Sequence, residues 1–213
     1  MIYDIDIAKQ VAKSLLQINA IILQPKNPFK WAAGWNSPIY CDNRKTLSYP
    51  EIRNNIRQGL SAIVKNHYKG ANIIAGVATA GIPHGALVAE ELGLPFIYVR
   101  AKAKEHGKQN QIEGYFETGQ SVVLVEDLIS SGKSSLEAAS ILRQAGINVK
   151  GIVSIFTYGF DEATENFKNA ECEYVSLCDY NTLLPQAIES QYIEETDLSL
   201  LEKWRENPSI WKK

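Results

Sequence analysis

The stretch VVLVEDLISSGKSS, residues 122–135, concentrates more chemistry than any other part of the chain. Four apolar residues lead into two adjacent carboxylates, Glu126 and Asp127. Behind them come Leu128, Ile129, Ser130, Ser131, Gly132, Lys133 and Ser134. Carboxylates where a strand leaves the core can accept hydrogen bonds from sugar hydroxyls. The small residues run into a helix, whose first amides lack intrahelical partners and, with the helix dipole, favour phosphate. A nucleoside-triphosphate P-loop is excluded, because it needs a glycine at position 127, where this chain has Asp. No G-x-G-x-x-G occurs either. The pattern fits a ligand with a phosphate at one end and vicinal hydroxyls beside it, a ribose 5-phosphate. Alone, the two acids would read equally well as a solvated strand end; the anion-type turn behind them weighs against that.

Two other stretches bear on the same chemistry. GVATAGIPHGA (76–86) is a glycine-flanked turn, with Ala78, Thr79, Ala80 and Gly81 at its centre. RAKAKEHGKQNQIEG (100–114) places Arg100, Lys102, Lys104, His106 and Lys108 at alternate positions, with Gly107 and Gly114 nearby. The plain reading is a solvated loop. In a chain of net charge −2, it also suits a mobile clamp for a polyanion, with the stretch from about 101 to 112 expected to move. His67 and His84 are isolated and expected to be structural or at the surface. No Ser/His/Asp or Cys/His arrangement suggests nucleophilic catalysis.

The elements that must position these groups follow from periodicity. Ala8, Val11, Ala12, Leu15 and Ile22 predict a helix over roughly 5–23; Ile52, Ile56, Leu60 and Ile63 predict a second one, with Pro50 near its start. Between them, QPKNPFKWAAGWNSPIYCDNR reads as loops with short strands. Apolar runs at 72–78, 95–100, 121–127, 149–158 and 172–178 predict strands. Helices fall between them, one ending at Gly93 and one running from about Gly132 to Ala145, stopped by Gly146. Apolar strands alternating with helices imply an α/β fold, a parallel sheet with helices on both faces. Ligands in such sheets bind beyond the carboxyl ends of the strands, where Glu126 and Asp127 fall.

Composition bounds the rest. The chain has 213 residues, 45% apolar and 22% charged, as expected for one packed domain. Its charge gives no general pull toward nucleic acid or an anionic membrane. No run approaches the roughly 20 apolar residues of a membrane span, and the N-terminus lacks a signal-peptide pattern. Cys41, Cys172 and Cys178 form no CxxC pair, so neither a zinc site nor a disulfide framework is expected, and a reducing cytoplasm fits. No repeat or linker divides the chain.

VVLVEDLISSGKSS resembles the phosphoribosyl pyrophosphate (PRPP) motif of the type I phosphoribosyltransferases. GVATAGIPHGA falls where that family has its pyrophosphate loop. The run R-x-K-x-K-x-H-G followed by Q-I-E-G is similar to the catalytic loop of the orotate phosphoribosyltransferases, and FKWAAGWNSPIYCDNR is similar to their N-terminal hood. The likeness spans about 28–158. It implies one domain over 1–213: an N-terminal helix and hood (1–48), a core (49–180) and a C-terminal helical segment (181–213).

The resemblance also implies an activity: transfer of the phosphoribosyl group of PRPP to orotate, giving orotidine 5′-phosphate and pyrophosphate in pyrimidine biosynthesis. Catalysis would fall to Lys104, His106 and Asp127. PRPP would be held by Arg100, Lys104, His106, Glu126, Asp127 and residues 128–134. Mg²⁺ would be carried mainly by PRPP, with no protein ligand assigned. Ser130, Tyr40 and Arg44 are the acceptor-site candidates. Orotate is anionic or easily made so, hence no strong general base is required. A homodimer whose basic loop reaches the neighbouring site is implied, with no nucleic-acid or membrane partner. Ala32 and Ala101 stand where many members carry lysine, and Phe156-Thr157-Tyr158-Gly159 offers no arginine for the orotate carboxylate; Lys102 and Arg44 are possible substitutes. Trp31, Trp35, Tyr40 and Phe29 are expected to pack the hood over the sheet, and Trp204 and Trp211 to dock the C-terminal segment. Two other readings remain: a purine transferase of the same fold, and a regulator that binds PRPP as a signal.

Overall fold

The computed structural model describes residues 1–31, 34–101 and 111–211. In chain order its elements are helix α1 (Ile5–Gln17), strands β1 (Ile21–Leu23), β2 (Phe29–Lys30), β3 (Asn36–Ser37) and β4 (Ile39–Cys41), a 3-10 turn (Asn43–Ser48) and α2 (Pro50–His67). There follow β5 (Ile73–Val77), α3 (Gly81–Leu92), β6 (Phe96–Val99), β7 (Ile112–Glu113), β8 (Ser121–Ile129), α4 (Lys133–Gln144) and β9 (Asn148–Thr157). The chain closes with α5 (Asp161–Asn169), β10 (Tyr174–Asp179), α6 (Tyr180–Glu189) and α7 (Leu198–Glu206).

Six strands form one sheet in the order β10-β9-β8-β5-β6-β7. All neighbours are parallel except β6 and β7. Alternate side chains of β8 enter opposite cores, as a strand's period of two requires. Val123 and Val125 join the core shared with α1, α2 and α3, whereas Val122 and Leu124 join the core beneath α4 and α5. Both faces are therefore covered, and the expected doubly covered parallel sheet is present. No described helix is long and apolar enough to cross a membrane.

The first helix is shorter than its periodicity suggests. Asn19 takes a left-handed φ of 52°. Its amide donates to the Leu16 carbonyl at 3.0 Å and that of Ala20 to Leu15 at 2.9 Å, a Schellman stop. Ile22 thus lies in a strand, not on the face of α1. β1 pairs with β4 and β2 with β3, building the hood from two short hairpin-like ladders.

The C-terminal segment is tied to the end of β9 by aromatic packing. Trp204 is fully buried, its ring centroid 5.7 Å from Tyr158, 5.5 Å from Phe160, 5.5 Å from Tyr180 and 5.6 Å from Trp31 of the hood. The Tyr180 hydroxyl donates to the Leu201 carbonyl at 3.2 Å. One residue therefore joins α7, the sheet and the hood. Trp204→Ala should cost about 3–5 kcal/mol and lower Tm by roughly 6–20 °C. Thermal unfolding checks this, and a change of under ~2 °C would show that α7 docks independently of this side chain.

Candidate active site

The site forms where the sheet switches direction. From β5 the chain crosses outward to β6, and from β8 it crosses the other way to β9, so the two exit loops diverge and open a crevice. Gly76 pairs with Val125, which sets the turn Ala78-Thr79-Ala80-Gly81 beside Glu126 and Asp127. Any Cβ at Gly81 would run into the Val125 carbonyl. Glycine alone lets α3 begin this close to β8. The Ala78–Thr79 peptide is cis.

The acids lie within the last four residues of β8, which runs on to Ile129 rather than ending at them. Glu126 is only 5% exposed. Its Oε2 accepts from the Ser135 hydroxyl at 3.1 Å and its Oε1 from the Asp127 amide at 3.0 Å. Burial pushes its pKa well up, and the Asp127 charge adds to the effect. Burial also raises Asp127, although the hydrogen bond from Glu126 pulls it back. Two touching carboxyls out of water cannot both ionise easily. The upward push falls hardest on the deeper Glu126.

The anion-type turn is also present. Gly132 takes a φ of 76°, and a Cβ there would collide with the Phe167 ring. α4 then starts at Lys133 with no side-chain cap, which leaves its first amides for an external anion. Asn166 Nδ2 donates to the Ser131 carbonyl at 3.0 Å and steadies the turn. Ala78, Arg100 and Ser134 meet around a small cavity of about 40 Å³, so the two loops and the first basic residue adjoin.

Arg100 is held by its amide, which donates to Gln111 at 2.8 Å, and by Glu113, 3.6 Å from its Nη1. Ile112 pairs with Val99 and is 4% exposed, so the expected mobile stretch does not reach 112: it ends in a packed strand. Lys102, Lys104, His106 and Lys108, like Ala32, lie outside the described residues.

A second cleft, about 390 Å³, opens beside the turn. Ser130, Ser131, Trp31, Trp35, Phe160 and Arg205 are among its walls. Tyr40 and Arg44 do not line it. Arg44 Nε pairs with Asp42 at 2.6 Å and its side chain is 64% exposed; Tyr40 is exposed against Phe29. Trp31 packs the hood onto Tyr158 as expected, while Trp35 faces the cleft. His84 is buried in α3, and burial lowers its pKa to about 4, so it is neutral at pH 7; His67 lies 3.1 Å from Glu173. Neither lines the small cavity at Arg100 or the cleft beside Ser130. Among the described residues no three His, Cys, Asp or Glu side chains cluster to hold a metal.

Sequence reasoning missed three residues. Asn43 is fully buried and its Nδ2 donates to the Asp127 carbonyl at 2.7 Å, pinning the hood to β8. Ser135 holds Glu126. Arg205 comes from the far C-terminus. Ser135 stood within the quoted motif, and Asn43 beside Arg44, but nothing local marked their partners. No signal near position 205 pointed to the cleft.

A family model for the phosphoribosyl transferase domain matches residues 47–182. The chain is 54% identical over 205 residues to an orotate phosphoribosyltransferase of Cytophaga hutchinsonii, covering 96% of this chain and 98% of that one. It is 55% identical over 203 residues to one of Bacillus subtilis, covering 95% and 94%. Among solved structures, an orotate phosphoribosyltransferase from Aeropyrum pernix superposes with a TM-score of 0.74 at 28% identity, covering 83% of this chain and 97% of that one. A Leishmania donovani UMP synthase reaches 0.79 at 29% identity, covering 93% of this chain and 42% of that one.

The carboxyl pair makes stability depend on pH. Because the folded pKa of Glu126 lies above the unfolded value, its contribution is complete below the unfolded value and is lost as pH rises through the folded one. Glu126→Gln keeps the shape and removes the titration. Its Tm should match the parent near about pH 4.5 and exceed it by at least about 2 °C near pH 8. Calorimetry across that range checks this; a variant less stable at high pH would mean that Glu126 is held ionised.

Proposed function

The chain belongs to the orotate phosphoribosyltransferases, and we propose that it transfers the 5-phosphoribosyl group of PRPP to orotate, releasing pyrophosphate, through the crevice between β5 and β8. The product, orotidine 5′-phosphate, lies on the route to UMP. The observation that carries this reading is the juxtaposition of three parts: a carboxyl pair, an uncapped helix start and an aromatic cleft, meeting at Ser130.

Each part has a role. Asp127 and Glu126 take the ribose hydroxyls. Residues 128–134 hold the 5-phosphate on the amides of the turn and of α4, with Lys133 and Ser134 at its rim. Ala78, Thr79, Ala80 and Gly81 supply the backbone beside the pyrophosphate, and Arg100 faces it. Breaking the bond from ribose C1 to pyrophosphate builds positive charge on the sugar and negative charge on the leaving group. Lys104 and His106 on the basic loop are assigned to the leaving group, where donors in a closed site act most strongly. The ring nitrogen of orotate forms its bond to C1 as the bond to pyrophosphate breaks, and its N–H proton leaves to water or to the departing pyrophosphate, so no strong base is required. Magnesium is assigned to the phosphates of PRPP, because it keeps several waters and is commonly bound through substrate phosphates. When bound it would offset charge on the departing pyrophosphate. All three cysteines are free thiols, which suits a cytoplasmic location.

Turnover is tested by loss of orotate's ultraviolet band with PRPP and Mg²⁺; failure with orotate but turnover of adenine or hypoxanthine would overturn the acceptor. Asp127→Asn should cut kcat/KM at least about a hundredfold with little change in Tm, since burial already disfavours its charge. Normal activity in the folded variant would return Asp127 to a plain strand end.

The basic loop is assigned to the neighbouring site of a two-fold dimer. Mixing Lys104→Ala with Asp127→Ala under subunit exchange then gathers both lesions in one site of each mixed dimer. Half of the dimers are mixed and each has one of two sites intact, so activity should return to about a quarter of wild type. No recovery, with exchange verified by mass spectrometry, places Lys104 in its own subunit's site.

A further inference from the structure

We infer that Arg205, on the C-terminal helix α7, selects the acceptor by pairing with its carboxylate. The inference rests on the cleft beside Ser130 being the acceptor site. Orotate is a planar pyrimidine that carries a carboxylate beside the ring nitrogen that attacks. A pocket for it needs flat apolar walls, a contact to the PRPP turn and a cation. Trp31 and Trp35 supply aromatic walls, and Ser130 belongs to the turn. Asp161, Glu162 and Glu206 also edge the cleft, so an anion would be repelled unless a positive group stands there. Arg205 is the only cation among the described residues that line it.

Its position is fixed from two sides. The neighbouring Trp204 is fully buried among rings from the segment just after β9, from α6 and from the hood. The Arg205 guanidinium donates through Nη1 to the Gly159 carbonyl at 3.1 Å. That bond uses one corner of a planar fork and leaves the other donors for a carboxylate, which guanidinium binds in a matching geometry. The strand end that reaches this corner, Tyr158-Gly159-Phe160, brings no cation of its own. Arg44, the sequence-level substitute, is paired with Asp42 and lies outside the cleft lining.

The test separates carboxylate recognition from a merely structural tie to Gly159. KM for orotate, KM for PRPP and the inhibition constant of uracil, which lacks the carboxylate, are measured for wild type, Arg205→Gln, Arg205→Lys and Arg44→Gln. Arg205→Gln should lose roughly 10- to 150-fold in kcat/KM for orotate, the range for a hydrogen-bonded charge. Uracil inhibition and the KM for PRPP should stay within about twofold of wild type, the context spread of a single contact. Arg205→Lys keeps the charge without the fork and should fall between, and it carries the test if the glutamine variant does not fold. Equal losses for orotate and uracil, or a selective orotate loss in Arg44→Gln alone, would overturn the inference. If wild type itself does not use orotate, the acceptor assignment fails first, and that result is distinct from a wild type that works and an Arg205 variant that keeps its orotate KM.

Discussion

A carboxyl group held out of water at the end of β8 sets the conditions for what surrounds it. Glu126 is uncomfortable there unless its oxygens are satisfied, because an unpaired buried polar group is costly. Two neighbours respond. Ser135 from the first turn of α4 gives a hydroxyl and Asp127 gives its amide, while burial pushes the acid toward its neutral form. The same contacts fix how α4 leaves the sheet. They therefore fix the uncapped amides that precede Ser135. The demand of one buried acid and the aim of the phosphate turn are one geometric problem.

The hood is drawn into that problem through Asn43. Its amide group is buried and donates to the Asp127 carbonyl, in the last residues of a strand whose inner ladder bonds go to β9 and β5. That bond joins a segment about 84 positions away in sequence to the acidic end of the sheet. Glycine does the corresponding work at close range. Gly81 lets α3 start against Val125, and Gly132 lets the turn pass over Phe167. A Cβ at Gly81 would meet the Val125 backbone, and one at Gly132 would meet the Phe167 ring at a left-handed φ that side chains rarely adopt. Stability and the proposed function pull apart here: the sheet would be more comfortable with a neutral side chain at 126, and the ribose contact proposed for it asks for an acid.

Much of this was legible in the sequence, for physical reasons. Strands buried on both faces are apolar throughout, so β5, β8, β9 and β10 stood out, and glycines marked the helix stops at 93 and 146. The acid pair and the turn lie together in one motif and could be read locally. What could not be read was whatever depends on a partner distant in sequence. The Schellman stop at Asn19 looked like continuing helix because Ile22 kept the period. Ile112 looked like loop because its strand is two residues long and gains its burial from β6. Asn43, Ser135 and Arg205 carried no local signature, since a polar residue is marked as functional only by what it faces.

The cleft beside Ser130 shows the same logic at larger scale. The carboxyl pair and the phosphate-type turn are built from consecutive residues of one strand, turn and helix, so their geometry is set by short-range backbone rules. The cleft beside Ser130 instead takes walls from the hood, from the start of α5 and from α7. Segments so far apart can be registered only by packing, and the packing observed is the ring cluster of Trp31, Tyr158, Phe160, Tyr180 and Trp204. Close-packed rings transmit position rather than absorb it. The C-terminal helix is consequently part of the cleft's architecture: the aromatic contacts that make α7 adhere to the sheet also decide where the guanidinium one residue further along can reach.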